Sequence, residues 1–195
     1  MSNPFGRLVL IADPSEPTEQ GSNTLAVIER KLRSMGLDYR VVSDGSSGER
    51  ERAAREALLA GDRFVVAVGG DGIIHEVANG MLRDGRPVDP EAVLGVIPAG
   101  APCDFVKTFG LPSDIERACG HLAGDRVFPI DAGALVATRD GADVTRSFVN
   151  IAEVGMGASM VRRQGRFPER LGRGRRFLGF WLSLATFRPT RVRLT

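Results

Sequence analysis

Residues 64–68 read Phe-Val-Val-Ala-Val and run directly into Gly69-Gly70-Asp71-Gly72. A strand with no polar side chain must be covered on both faces, which is the condition of a strand inside a parallel sheet. The same unit recurs along the first hundred residues. An apolar run at 7–12 stops at Asp13-Pro14. Leu25, Ile28, Leu32 and Met35 then recur at helical spacing over 24–35, and Gly36 ends that helix. Residues 39–43 read as a strand, 49–60 as a helix closed by Gly61, 73–83 as a helix and 93–97 as a strand. The order βαβαβαβ predicts an α/β fold with a doubly wound parallel sheet. Ligands of such sheets sit outside the carboxyl ends of the strands, so the loops beginning at Asp13, Ser43, Gly69 and Pro98 should share one edge.

The pattern changes after about residue 127. Residues 128–131, 134–138 and 144–151 read as strands with short connections, and 173–187 as a helix. This places a boundary near residue 132, between an α/β domain over 1–132 and the start of a β-rich second domain over 133–195. A last strand at 190–195 has nothing to pair with, so the chain is expected to break off inside that second domain.

Composition narrows the class. Apolar residues make up 43% and charged residues 26%, which argues against disorder. The longest nearly unbroken apolar run, 177–187, is too short to span a bilayer as a helix. The amino terminus has no charged start leading into an apolar core, as a secretory signal would. Two cysteines, Cys103 and Cys119, fit neither a disulfide framework nor a zinc site, which points to a reducing, cytoplasmic setting. The net charge of +2 conceals an asymmetry. Residues 161–195 carry ten arginines against the single acid Glu169, leaving −7 on residues 1–160. Seven of those arginines fall between Arg162 and Arg176. They form either a solvated basic helix or a surface for anionic headgroups or phosphates. No aromatic-interleaved basic motif speaks for nucleic acid.

The turn at 69–72 carries the chemistry. Glycines admit positive φ and let a ligand approach the main chain. Successive free N–H groups form an anion-binding concavity, to which a following helix N-terminus adds positive charge. No Walker lysine accompanies it. An aspartate beside phosphates is useful if it holds Mg²⁺ or takes a proton from an acceptor hydroxyl. The alternative is an ordinary strand-to-helix turn with Asp71 as cap.

The turn continues as His75-Glu76-Val77-Ala78-Asn79-Gly80. Downstream follow Gly95-Val96-Ile97-Pro98-Ala99-Gly100, Asp104-Phe105 and Gly110-Leu111-Pro112. In order and spacing these resemble the diacylglycerol kinase catalytic family, which reads G-G-D-G-T-x-N-E-V-x-N-G and then G-x-x-P-x-G-T-x-N-D-F-A-R-x-L-G-x-P. Ile130-Asp131-Ala132-Gly133 and Phe148-Val149-Asn150-Ile151-Ala152 extend the likeness. NAD kinases and phosphofructokinases share the G-G-D-G core and the expected fold, without the E-V-x-N-G continuation.

The resemblance implies a two-domain lipid kinase moving the γ-phosphoryl group of ATP, with Mg²⁺, to a lipid hydroxyl of diacylglycerol or sphingoid type. The arginines of residues 162–176 add an expected peripheral association with an anionic membrane, and a homodimer is left open. By position, Gly69, Gly70, Asp71, Gly72, Ile73, Gly100 and Asp104 would meet the nucleotide, with Asp13 and Ser43 bordering it. Asp71 would be catalytic and hold the metal, and Asp131 would serve the substrate. In the family the last third of the chain supplies an acidic base. The departures are specific: Ile73 stands for threonine, His75 for asparagine, and Ala101-Pro102-Cys103 for T-x-N. They support a second reading, a catalytically inactive member that binds nucleotide or lipid as a regulatory module. An NAD-kinase-like enzyme is a third, disfavoured by Asn79-Gly80 and Asp104-Phe105.

Overall fold

The computed structural model describes residues 3–12, 24–43, 48–99, 103–153, 155–164 and 173–187. Its elements, in chain order, are β1 (Leu8–Ala12), α1 (Thr24–Ser34), β2 (Tyr39–Ser43), α2 (Glu49–Leu59), β3 (Phe64–Val68), α3 (Asp71–Met81), β4 (Leu82–Arg83), β5 (Arg86–Pro87), β6 (Val93–Ile97), α4 (Asp104–Thr108), α5 (Ile115–Leu122), β7 (Gly133–Arg139), β8 (Ala142–Phe148), α6 (Met156–Gln164) and α7 (Arg173–Thr186).

The period of two along each central strand builds the layers. Leu8, Leu10, Phe64, Val66 and Ile97 enter one core with Ile28 and Leu32 of α1 and Ala118, Cys119 and Leu122 of α5. Val9, Ile11, Val65, Ala67 and Val96 enter a second core with Ala54 and Leu58 of α2, Ile74 and Val77 of α3, and Phe105 and Val106 of α4. The sheet is wholly parallel, in the order β2-β1-β3-β6, with helices on both faces. This is the doubly wound arrangement expected.

The register aligns the strand ends. Ala12 lies opposite both Ser43 and Val68, and Val68 opposite Ile97. The four strands therefore stop in one row, and their following loops leave from one edge. Strand order reverses between β1 and β3, which places the switch point between the loops that follow these two strands.

Three contacts fasten α3 to its surroundings. Arg50 of α2 grips Glu76 through two bonds, Nε to Oε2 at 2.9 Å and Nη2 to Oε1 at 3.0 Å. Gly80 lets the two helices touch: a Cβ there would collide with the carbonyl oxygen of Glu51 and lie 2.6 Å from the Ala54 methyl. Asn79 reaches the hairpin of β7 and β8. Its Nδ2 donates to the Ser147 carbonyl at 2.9 Å, and its Oδ1 accepts from the Ser147 N–H at 2.9 Å. A side-chain amide thus does for β8 what a neighbouring strand would do.

The chain divides into two compact units, Met1–Asn150 and Ile151–Thr195. The hairpin is where expected but belongs with the first unit. The expected strand at 128–131 is absent: these residues are irregular, and Ile130 packs its side chain on the core without pairing its backbone. In the second unit the described elements are the helices α6 and α7. The expected strand at 190–195 lies outside the described residues.

Candidate functional site

The turn after β3 is built for close approach. Gly69 has φ +149°, a value L side chains rarely adopt, and its N–H donates to the Ile97 carbonyl at 3.0 Å. That bond ties the turn to the end of β6. Gly70 then leads into α3, and its carbonyl accepts the N–H groups of Ile73 at 3.1 Å and Ile74 at 3.2 Å. The N–H groups of Asp71 and Gly72 come before the first intrahelical bond and have no partner among the described residues. Gly72 is exposed, and a Cβ placed on it meets nothing within 4 Å. The turn therefore offers two donors, the positive end of an 11-residue helix and open space beside them. A phosphate fits that description.

Asp71 does something the sequence did not disclose. Its Oδ2 accepts the N–H of Asp104 at 2.9 Å, and its Oδ1 accepts that of Phe105 at 2.9 Å. The Cys103 thiol donates to Oδ1 at 3.8 Å. Asp71 thus caps α4, a helix that starts 33 residues later and has no cap from its own N-cap residue, Cys103. It does not cap α3, whose N-cap is Gly70. The carboxylate latches the segment after β6 to the turn after β3, so the two family motifs meet through it. Burial pushes the Cys103 thiol up, and the charge of Asp71 pushes the same way. Cys103 is a buried thiol in a structural contact, not a nucleophile.

The remaining candidates sort by position. Ser43 is exposed at the end of β2, in the row of strand ends. Ile73 has its side chain in the core, and its N–H donates to the Gly70 carbonyl. Asp104 stands beside the turn through its backbone, while its exposed carboxylate pairs with Lys107 at 2.8 Å. That pairing raises the Lys107 ammonium above its usual range. Asp131 is exposed before β7, with no hydrogen-bond partner among the described residues. Asp13 and Gly100, with Ala101 and Pro102, lie outside the described residues. No group of three or more His, Cys, Asp or Glu is placed to hold a metal ion among the described residues.

The latch predicts a measurable effect. Asp71→Ala removes the cap of α4 and should cost about 1–2 kcal/mol. Urea unfolding measures the loss, and amide exchange should locate it at Asp104 and Phe105. Unchanged protection at those two amides would contradict the latch.

The sequence model of the diacylglycerol kinase catalytic domain matches residues 7–135, which covers the sheet, the turn and the latch. The chain belongs to the diacylglycerol kinase catalytic-domain family. It is 30% identical over 193 residues to the diacylglycerol kinase of Bacillus subtilis, covering 96% of this chain and 59% of that protein. It is 33% identical over 140 residues to a protein named as a YegS-like lipid kinase in Klebsiella pneumoniae, covering 72% of this chain and 42% of the relative. The fold matches the crystal structure of a diacylglycerol kinase from Bacillus anthracis with a TM-score of 0.59 at 24% identity, over 76% of this chain and 50% of that one. This member of the family thus spans roughly half the length of the relatives it matches.

The latch and the Asn79 clasp explain residues of the family pattern that the sequence reading quoted only as signature. In E-V-x-N-G, Glu76 holds α2, Asn79 holds β8 and Gly80 allows the helices to touch. Spacing gave no sign of either partner: Ser147 is 68 residues from Asn79, and Arg50 is 26 from Glu76.

Proposed function

We propose that this chain holds ATP for a lipid kinase reaction, in which the γ-phosphoryl group passes to the hydroxyl oxygen of a diacylglycerol- or sphingoid-type lipid. One observation carries the reading: the turn beside the switch point, exposed at Gly72, with open space there and two N–H groups that have no partner among the described residues, in a chain of this family. Residues 69–72 take the phosphates, and Ser43, Asp13 after β1 and Gly100 after β6 border the nucleotide. Mg²⁺ supplies charge neutralisation to the phosphates when bound. Of the described acids, Asp71 stands in the turn and Asp104 beside it. The Asp71 carboxylate already accepts from two backbone N–H groups and, on Oδ1, from the Cys103 thiol, which leaves one lone pair on Oδ2 for the ion. Its firmer role in this reading is to position the turn against α4. Asp131, exposed where the hairpin begins, is assigned to the substrate side.

The lipid is met at the membrane, where the protein acts as a peripheral, cytoplasmic enzyme. Support comes from the +9 charge of residues 161–195 and from Arg162 and Arg163 in the last turn of α6. No helix among the described residues is long and apolar enough to cross a membrane.

The test is transfer itself. With ATP labelled in its γ-phosphate and dispersed diacylglycerol or sphingosine, label is expected in the lipid phase only when the hydroxyl-bearing lipid is present. ATP binding without transfer would favour the regulatory module. Neither binding nor transfer would overturn both readings.

A further inference from the structure

We propose that α7 lies along the surface of an anionic bilayer, with Phe177, Phe180, Trp181 and Leu184 as its inserted stripe. The proposal rests on the membrane-surface part of the reading above and deepens it from charge attraction to insertion.

The four residues stand at i, i+3, i+4 and i+7, so they share one face of the helix. All four are exposed, at 65%, 39%, 52% and 47%. The rings of Phe177 and Phe180 meet the Trp181 ring edge-on at 6.1 and 5.6 Å, so the stripe is one continuous apolar surface. Leu178 and Leu182 widen it. The other side of the helix is spent on packing, with Gly179 and Ser183 buried. Monomeric surfaces rarely leave such a patch uncovered. A helix of 14 residues is only about 21 Å long, too short to span a hydrocarbon core.

Charge decides the occupant. No charged residue falls between Phe177 and Phe187, whereas Arg173, Arg175 and Arg176 precede the run and Arg188 follows it. An apolar face flanked by arginines is the pattern of an interfacial helix, whose cations stay with anionic headgroups while its rings enter the acyl boundary. A second copy of this chain packed stripe against stripe would set +9 against +9. An anionic lipid surface meets the same charge with attraction.

Trp181 is the single tryptophan of the chain, so its emission reports the stripe directly. With vesicles of equal parts phosphatidylglycerol and phosphatidylcholine, the emission should shift to the blue and be quenched by bromine on the acyl chains. A fraction of the binding should survive high salt. Phe177→Gln with Phe180→Gln should weaken binding on the order of 10- to 100-fold, with helicity unchanged, because two rings lose their apolar burial. Arg162→Gln with Arg163→Gln should remove only salt-sensitive binding. Binding abolished by salt and indifferent to the phenylalanines would overturn insertion while leaving the arginine surface standing. No binding to these vesicles would overturn both. Equal binding to phosphatidylcholine alone would overturn the anionic partner. Self-association relieved by the same phenylalanine changes would show that a second copy covers the stripe, and would overturn the proposal.

Discussion

Glu76→Ala is expected to destabilise the unit of residues 1–150 by about 1.5–3 kcal/mol, because it deletes the carboxylate that accepts two hydrogen bonds from the Arg50 guanidinium. The Arg50 side chain is 9% exposed and that of Glu76 19%, so water cannot replace what the substitution removes. Glu76→Gln keeps an acceptor for the guanidinium, so it should cost less than Glu76→Ala. Urea unfolding of the two variants measures this. A Glu76→Ala loss below about 1 kcal/mol would mean the pair behaves as an exposed one.

Asn79→Ala should cost about 2–5 kcal/mol, because it leaves the N–H and the carbonyl of Ser147 unpaired, at about 1–3 kcal/mol for each buried group. Asn79 and Ser147 are both buried, at 5% and 4% exposed. The change should be local before it is global. Amide exchange across β8 should quicken first at Ser147, while the central strands β1 and β3 keep their protection. Asn79→Asp sets a buried carboxylate oxygen against the His75 and Ser147 carbonyls that the amide now bonds, so its loss should exceed that of alanine. Uniform loss of protection across the sheet would show that the clasp is not the hairpin's own fastening.

The sheet was legible because its signal is local. Wholly apolar strands between amphipathic helices have one arrangement that buries both strand faces, and Leu10, Val66 and Ile74 are buried as that arrangement requires. The shared edge followed from the same order, and the row Ser43, Ala12, Val68 and Ile97 realises it. What escaped depends on pairs far apart in the chain. Phe128-Pro129-Ile130 has the composition of a strand but no neighbour for its backbone, and composition cannot report a missing neighbour. The change from helices to hairpin near residue 132 was legible, and the two hydrogen bonds by which Asn79 holds that hairpin were not. Asp71 was legible as the carboxylate of the turn. That it caps α4 was not, since nothing near it in sequence names Asp104 and Phe105 as donors. Ile73 entered the nucleotide set by its place in the family pattern, and its apolar side chain lies in the core.

The central claim is that residues 69–72 hold the phosphates of ATP, and Gly72→Val tests it most directly. A Cβ at this position meets nothing within 4 Å and needs no positive φ, so the fold has no reason to object. Replacing a helical glycine should leave stability unchanged or raise it by a few tenths of a kcal/mol. The new methyl groups would instead occupy the space beside the N–H groups of Asp71 and Gly72. Losing one hydrogen bond to a charged phosphate costs about 1.5–3 kcal/mol, or roughly 10- to 150-fold in affinity. Calorimetric titration of both proteins with Mg-ATP is therefore expected to show at least about a tenfold weaker Kd for Gly72→Val, with Tm held or raised. Equal affinity in two equally stable proteins would show that the phosphates lie elsewhere.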